Sequence, residues 1–184
     1  LYGVHADLCT FAKAVANGYP ISVLAGREEI MRKLGKGVAH GGTYTAHSVS
    51  LAAAEKTLEI LEETDALDRI ADYGTRLRKG MTAVLQARGI PHSFVGHPSM
   101  SGLYFAADPP RNYRDWKRSD YSFYDAMAKV LHDERILCEP DSREPWFVSA
   151  AHDDSCLADT LSAFEVAVDA TLRTHGAQQQ RQPA

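Results

Sequence analysis

The chain has 184 residues, 45% hydrophobic and 24% charged, and its 20 lysines and arginines against 24 aspartates and glutamates leave a net charge of −4. That is the composition of an ordinary globular protein long enough to bury a core, and it excludes a collagen-like chain, a coiled coil and a disordered tail. The mildly acidic balance supplies no field for nucleic acid, and no apolar run approaches the roughly 18 residues of a membrane span.

The chain opens on Leu1 rather than Met, so it is expected to be a piece of a longer polypeptide, with a processed terminus as the alternative. Leu8 to Ala12 is a short apolar run ending at Lys13, and Ile21 to Ala25 is another; both read as buried strands, separated by the turn-forming stretch Ala16-Asn17-Gly18-Tyr19-Pro20. Arg27 to Leu34 reads as a short helix, followed by a glycine-rich loop from Gly35 to Thr43. From Ser48 the pattern is helical, with Leu51, Ala54, Leu58 and Leu61 on one face. Glu62 to Asp65 is polar and marks a boundary. Beyond it, Leu67, Ile70, Leu77, Met81, Val84 and Leu85 form a second amphipathic helix ended by Gly89. Pro91 to Val95 and Gly102 to Ala106 read as strands, Asp108 to Ser119 as a surface excursion, and Phe123, Met127, Val130 and Leu131 as one helical face. Ile136 to Cys138 and Trp146 to Ala150 read as strands. Asp153 or Asp154 can cap a last helix with the stripe Leu157, Leu161, Phe164, Val168 and Leu172, and the tail from Gly176 is expected to fray. The order predicts an α/β piece over 1–64, an α+β domain over 65–175 and a tail over 176–184.

Three cysteines, Cys9, Cys138 and Cys156, have no paired spacing and fit free thiols in the cytoplasm. His40, His47 and His152 show no tight ligand spacing, so no metal site is expected. Trp116, Tyr121, Phe123 and Tyr124 read as core and edge aromatics rather than a base-stacking platform. Lys13 differs from these, because its ammonium follows an apolar strand and precedes Ala14-Val15-Ala16. Apolar surroundings favour a neutral, nucleophilic amine that can condense with a carbonyl, although a surface lysine flanking a strand is the plain alternative. Gly41-Gly42-Thr43 offers backbone N–H groups and a hydroxyl ahead of a helix, a pattern suited to phosphate or simply to a flexible loop.

In order and spacing these segments are more specific than either alone. Asp7-Leu8-Cys9-Thr10-Phe11-Ala12-Lys13-Ala14, followed by Gly18-Tyr19-Pro20-Ile21 and Ala25-Gly26-Arg27-Glu28-Glu29-Ile30-Met31, resembles the cofactor-lysine block of class III aminotransferases. Gly42-Thr43-Tyr44-Thr45-Ala46, leading into Leu51-Ala52-Ala53-Ala54, is similar to their next block, and Trp146-Phe147-Val148-Ser149-Ala150-Ala151-His152-Asp153 resembles the glutamate-1-semialdehyde 2,1-aminomutase branch. The resemblance implies the C-terminal part of the aspartate-aminotransferase-like fold, fold type I, with pyridoxal 5'-phosphate as cofactor. It implies that Lys13 holds the cofactor and moves the substrate proton, and that Gly42 and Thr43 bind its phosphate, in this family usually across a homodimer interface. Glu144 aligns with an active-site glutamate of the aminomutase branch, and Arg143 beside it could receive the carboxylate of an amino-acid or amino-ketone substrate. Two departures stand out: His47-Ser48 replaces the family's usual Asn-Pro, and Ala16-Asn17-Gly18 has fewer glycines than the aminomutase pattern.

The resemblance leaves open an aminotransferase or an aminomutase that returns the amine to the adjacent carbon. From another class, a non-catalytic subunit-association module also fits the residues. The family's upstream half supplies the ring-stacking aromatic and the aspartate on the pyridine nitrogen, so these 184 residues alone are expected to be inactive.

Overall fold

The computed structural model describes residues 3–179, with side chains through Thr174; Leu1, Tyr2 and residues 180–184 lie outside the described residues. The chain divides into two compact units, Leu1–Asp65 and Ala66–Ala184.

In the first unit, strand β1 (Leu8–Phe11) pairs antiparallel with β2 (Val23–Gly26), Leu8 opposite Gly26 and Phe11 opposite Val23. The short 3-10 helix Lys13–Ala16 lies between them in sequence, and α1 (Glu28–Met31) follows. The two strands were expected to be buried, yet Leu8 and Phe11 are 46% and 50% exposed. Among the described residues this sheet has two strands only, and a pair of strands has no second layer to cover its faces. Helix α1 is also shorter than the expected Arg27–Leu34 helix. Past Met31 the chain tightens into i→i+3 bonds, Lys33 N–H to Ile30 O and Leu34 N–H to Met31 O.

Helix α2 (Ser48–Glu63) packs against the 3-10 helix. Of the expected face, Ala54 is buried and Leu61 half-buried, while Leu51 and Leu58 are exposed; Ser50 and the half-buried Thr57 complete the contact side. Close approach to the 3-10 helix, whose Ala16 is fully buried, favours small residues on the contact. Leu51 and Leu58 are thereby turned outward.

The second unit opens with α3 (Ala66–Ala87) and continues through β3 (Ser93–Val95), β4 (Met100–Tyr104), α4 (Tyr113–Trp116), α5 (Tyr121–Asp133), β5 (Trp146–Phe147) and α6 (Asp154–Gln179). The strands form an antiparallel sheet in the order β3-β4-β5, with Phe94 opposite Leu103 and Ser101 opposite Trp146. One hydrophobic cluster joins the sheet to α3, α5 and α6 through Leu77, Met81, Leu103, Phe123, Met127, Trp146 and Phe164. Tyr124 is buried within it; its hydroxyl donates to Glu139 O at 3.0 Å and accepts from Trp146 Nε1–H at 2.9 Å. Desolvation pushes the Tyr124 hydroxyl pKa upward, so the group stays a protonated hydrogen-bonding link. Cys138 packs against the same cluster, where burial and then Glu139 push its thiol up to about 11, leaving it an inert packing group. Arg88 ties α3 to α6 by donating to both oxygens of Asp169 and to Glu165. No described helix is long and apolar enough to cross a membrane.

Three expectations for this unit change. Ile136 to Cys138 is not a strand: Ile136 N–H donates to Leu131 O at 2.8 Å and the His132 ring to Cys138 O at 2.6 Å, so capping takes up the backbone groups a ladder would use. The strand expected over Trp146–Ala150 stops at Phe147, because Ser149 turns with His152, its N–H donating to His152 Nδ1 at 3.0 Å. Helix α6, capped by the Asp153 carboxylate on Cys156 N–H, runs on to Gln179, so the tail expected from Gly176 is helical over its first residues. Among the side chains described, Thr171 is the last buried one on α6, and Leu172 is 40% exposed.

Helices α3 and α5 end in the same closing turn with different residues. At α3, Gly89 (φ 65) is followed by Ile90 N–H donating to Leu85 O. At α5 the matching position is Arg135 (φ 66), followed by the Ile136 to Leu131 bond. A side chain in this left-handed region costs about 1–2 kcal/mol, which glycine avoids. Arg135→Gly is therefore expected to raise the stability of the second unit by about 1 kcal/mol, and Gly89→Ala to lower it comparably. Urea midpoints measure both; an unchanged midpoint for Arg135→Gly would show that this turn holds no strain.

Candidate active site

The chain leaves β1 at Phe11, passes an extended Ala12 (φ −156) and places Lys13 in the left-handed region at φ 55. A lysine pays about 1–2 kcal/mol for that conformation, which persists only where its surroundings hold it. Here the buried Ala16 and the packed α2 hold one side, and the chain exits through Asn17 (φ 47) and Gly18 (φ 102). The result lifts Lys13 out of the strand direction. Its side chain is exposed, contrary to what its apolar neighbours in sequence predicted, because Phe11, Ala12 and Ala14 beside it are exposed as well and only Ala16 is fully buried. Among the described residues no carboxylate pairs with its ammonium.

Gly42 and Thr43 line a cleft of about 750 Å³ in the same unit. Its apolar wall includes Ile21, Val23 and Leu34, and its polar side runs from His40 to His47. A Cβ on Gly41 would meet nothing within 4 Å, and one on Gly42 would meet only Thr45 Oγ1 at 3.5 Å, so the backbone here is open to an incoming group. Two overlapping turns shape the segment: Thr45 N–H donates to Gly42 O at 3.0 Å and His47 N–H to Tyr44 O at 3.2 Å. Ala46, within the second turn, is left-handed at φ 60. Lys13 is not on the wall of this cleft.

Arg143 and Glu144 belong to the second unit. The Arg143 guanidinium donates from Nε to both oxygens of Asp141 at 2.9 Å and lies 5.1 Å from the Trp116 ring centre, while Trp116 Nε1–H donates to Ser142 Oγ at 2.9 Å. The hydrogen bonds from Arg143 hold the Asp141 carboxyl below its usual range. Arg143 thus clamps its own loop onto the 108–119 excursion. Glu144 is exposed, its N–H donating to Asp141 O at 3.0 Å. The sequence-based reading missed this clamp, for which the only signal was the spacing of Asp141 and Arg143. His152 packs its ring 5.2 Å from Tyr73 and holds the Ser149 turn. Among the described residues, no three His, Cys, Asp or Glu side chains could hold a metal ion.

The first unit thus carries a lysine on a left-handed backbone at a strand end and an open glycine-threonine segment ahead of a helix. The sequence pattern of the aminotransferase class-III family matches residues 1–162, and the chain belongs to that family. Glutamate-1-semialdehyde 2,1-aminomutase of Methanothrix thermoacetophila is 35% identical over 167 residues, 90% of this chain and 38% of that protein. The solved FumI protein of Sphingopyxis sp. MTA144, in its PLP internal aldimine form, has 31% identity and a TM-score of 0.78, covering 92% of this chain and 38% of that one. An omega-transaminase from Sphaerobacter thermophilus, at 24% identity and TM-score 0.75 over 92% of this chain and 40% of its own, shares the fold. The fold is thus a portion of the PLP-dependent transferase fold, fold type I, and the chain spans about two fifths of the length of these relatives.

Proposed function

We propose that the protein carrying this chain transfers amino groups with pyridoxal 5'-phosphate, Lys13 serving as the cofactor lysine and Gly42 and Thr43 as phosphate-binding residues. Lys13 carries the reading: an exposed primary amine, without a carboxylate partner among the described residues, on a left-handed backbone at the end of β1. The cradle supports it, since the open backbone at Gly41 and Gly42 leaves room for an anion and the Thr43 hydroxyl can donate to it. When bound, pyridoxal phosphate supplies an aldehyde and an electron-accepting ring. Lys13 Nζ would hold the cofactor at its aldehyde end and, as a free amine, would take the proton from the amine-bearing carbon and deliver it to a second carbon, so that the amino group changes place.

The separation of Lys13 from the cleft wall supports a division of labour in which Lys13 and the cradle serve two neighbouring sites of a homodimer, each phosphate shared across the interface. The exposed Val49 and Ile60 on one side of α2, and Leu51 and Leu58 on the other, leave apolar side chains on the first unit that such association would cover. In this reading residues 1–64 belong to the large cofactor domain and 65–175 form the small domain. The three free cysteines fit the cytoplasm. The substrate is an amino acid or amino ketone. Arg143 and Glu144 are the residues the family resemblance offers for its carboxylate; both are exposed, with Asp141 holding most of the Arg143 guanidinium.

The aminomutase relative favours a second reading, an intramolecular amino shift. Turnover of an amino aldehyde with no added acceptor would select it over transfer between two substrates. For the phosphate role, Thr43→Val is expected to weaken cofactor binding by about 1.5–3 kcal/mol, the worth of a charge-assisted hydrogen bond. Titration of the intact protein with pyridoxal phosphate measures this; unchanged affinity would remove Thr43 from the site.

A further inference from the structure

We propose that His47 is the positioning residue of the Gly42–Thr43 cradle, an inference that rests on the phosphate role given to that cradle above. Between the Gly35–Val38 turn and α2, the backbone of the loop makes only two hydrogen bonds among the described residues, Thr45 N–H to Gly42 O and His47 N–H to Tyr44 O. The second of these hangs the turn on His47. His47 is in turn fixed to α2 from two sides: its carbonyl accepts from Leu51 N–H at 3.0 Å, and its ring Nδ1 accepts from Ser50 N–H at 3.3 Å. Ser50 Oγ, fully buried, lies 2.9 Å from the same Nδ1.

An Nδ1 that accepts from a backbone N–H is the unprotonated nitrogen, so His47 is held in one tautomer and one ring orientation. Removing the ring would leave the buried Ser50 hydroxyl and an N–H of the first turn of α2 unsatisfied. It would also free the strained Ala46 (φ 60), which stands between the cap and the turn, to relax toward an ordinary conformation. Either change moves Thr43 relative to the helix it precedes. His47 therefore acts on phosphate through the turn it anchors, and the ring itself need not touch the ligand.

The prediction is a selective loss. In the intact protein, His47→Ala should weaken pyridoxal phosphate binding roughly fivefold, the usual size of a lost N-cap, while leaving the affinity for pyridoxal, which lacks the phosphate, unchanged. His47→Asn should restore it, because an asparagine oxygen caps the same N–H. Binding is read by the absorbance change on titration with each compound. If His47→Ala does not fold, His47→Gly tolerates the cap backbone without the ring and gives the same ratio. Unchanged phosphate selectivity, an equal loss for both compounds, or failure of asparagine to rescue would each overturn the proposal. Thr43→Val, titrated in parallel, separates the two claims. If it has no effect on pyridoxal phosphate, the cradle itself is wrong; if it has and His47→Ala has not, only the role of His47 falls.

Discussion

Replacing Lys13 with alanine is expected to lower amino-group transfer by at least about 10²- to 10⁴-fold, the range attributable to a positioned proton-transfer group alone. The amine cannot be supplied by a neighbour in the described unit, since Lys33 and Lys36 follow α1 and Lys56 is held by Glu59 at 2.8 Å on α2. The same position makes a second, opposite expectation about stability. Lys13 stands at φ 55, so Lys13→Gly should be more stable than Lys13→Ala by about 1 kcal/mol, although both lack the amine and both should be inactive. A melting comparison of the two variants reads strain separately from chemistry. Alanine melting at or above glycine would show that the backbone at Lys13 carries no strain.

The largest expected loss of stability lies in the second unit. Phe164 is fully buried on α6, with its ring 6.4 Å from Trp146 in an edge-to-face arrangement, inside the cluster that joins α3, α5 and α6 to the sheet. Phe164→Ala removes most of a large side chain from a packed site and is expected to cost about 3–5 kcal/mol. Set against total stabilities of roughly 5–15 kcal/mol, that change should shift the urea midpoint sharply or leave the second unit unfolded. A loss below about 1 kcal/mol would mean that the cluster is not the packed core of this unit.

The sequence was most legible where periodicity was long. Helices α3, α5 and α6 follow their apolar stripes except at the outer ends, where Leu67 and Leu172 are exposed, because Leu77, Met81, Met127, Phe164 and Val168 face a partner layer within the same unit. Legibility failed where the partner was a backbone rather than a side chain. The contact between α2 and the 3-10 helix buries Ser50 beside the expected Ala54, and favours small residues over Leu51 and Leu58, a preference that a hydrophobic stripe conceals. Ile136 to Cys138 carries strand-like residues, but the closing turn of α5 claims its hydrogen bonds first. At the site, Lys13, Gly42 and Thr43 stood out through their ordered blocks, and the structure adds the left-handed backbones at Lys13 and Ala46 that composition could not show. The cap formed by His47 was visible only as a departure from the family's usual Asn-Pro, and the Asp141–Arg143 clamp had no long-range signal.

The central claim is that one lysine of this chain carries the amino-transfer chemistry. Borohydride reduction of the intact protein loaded with pyridoxal phosphate, followed by peptide mapping, tests it directly. A pyridoxyl group is expected on Lys13 and on no other residue of the chain; label on Lys33, Lys36 or Lys56 in its place would refute the assignment of Lys13.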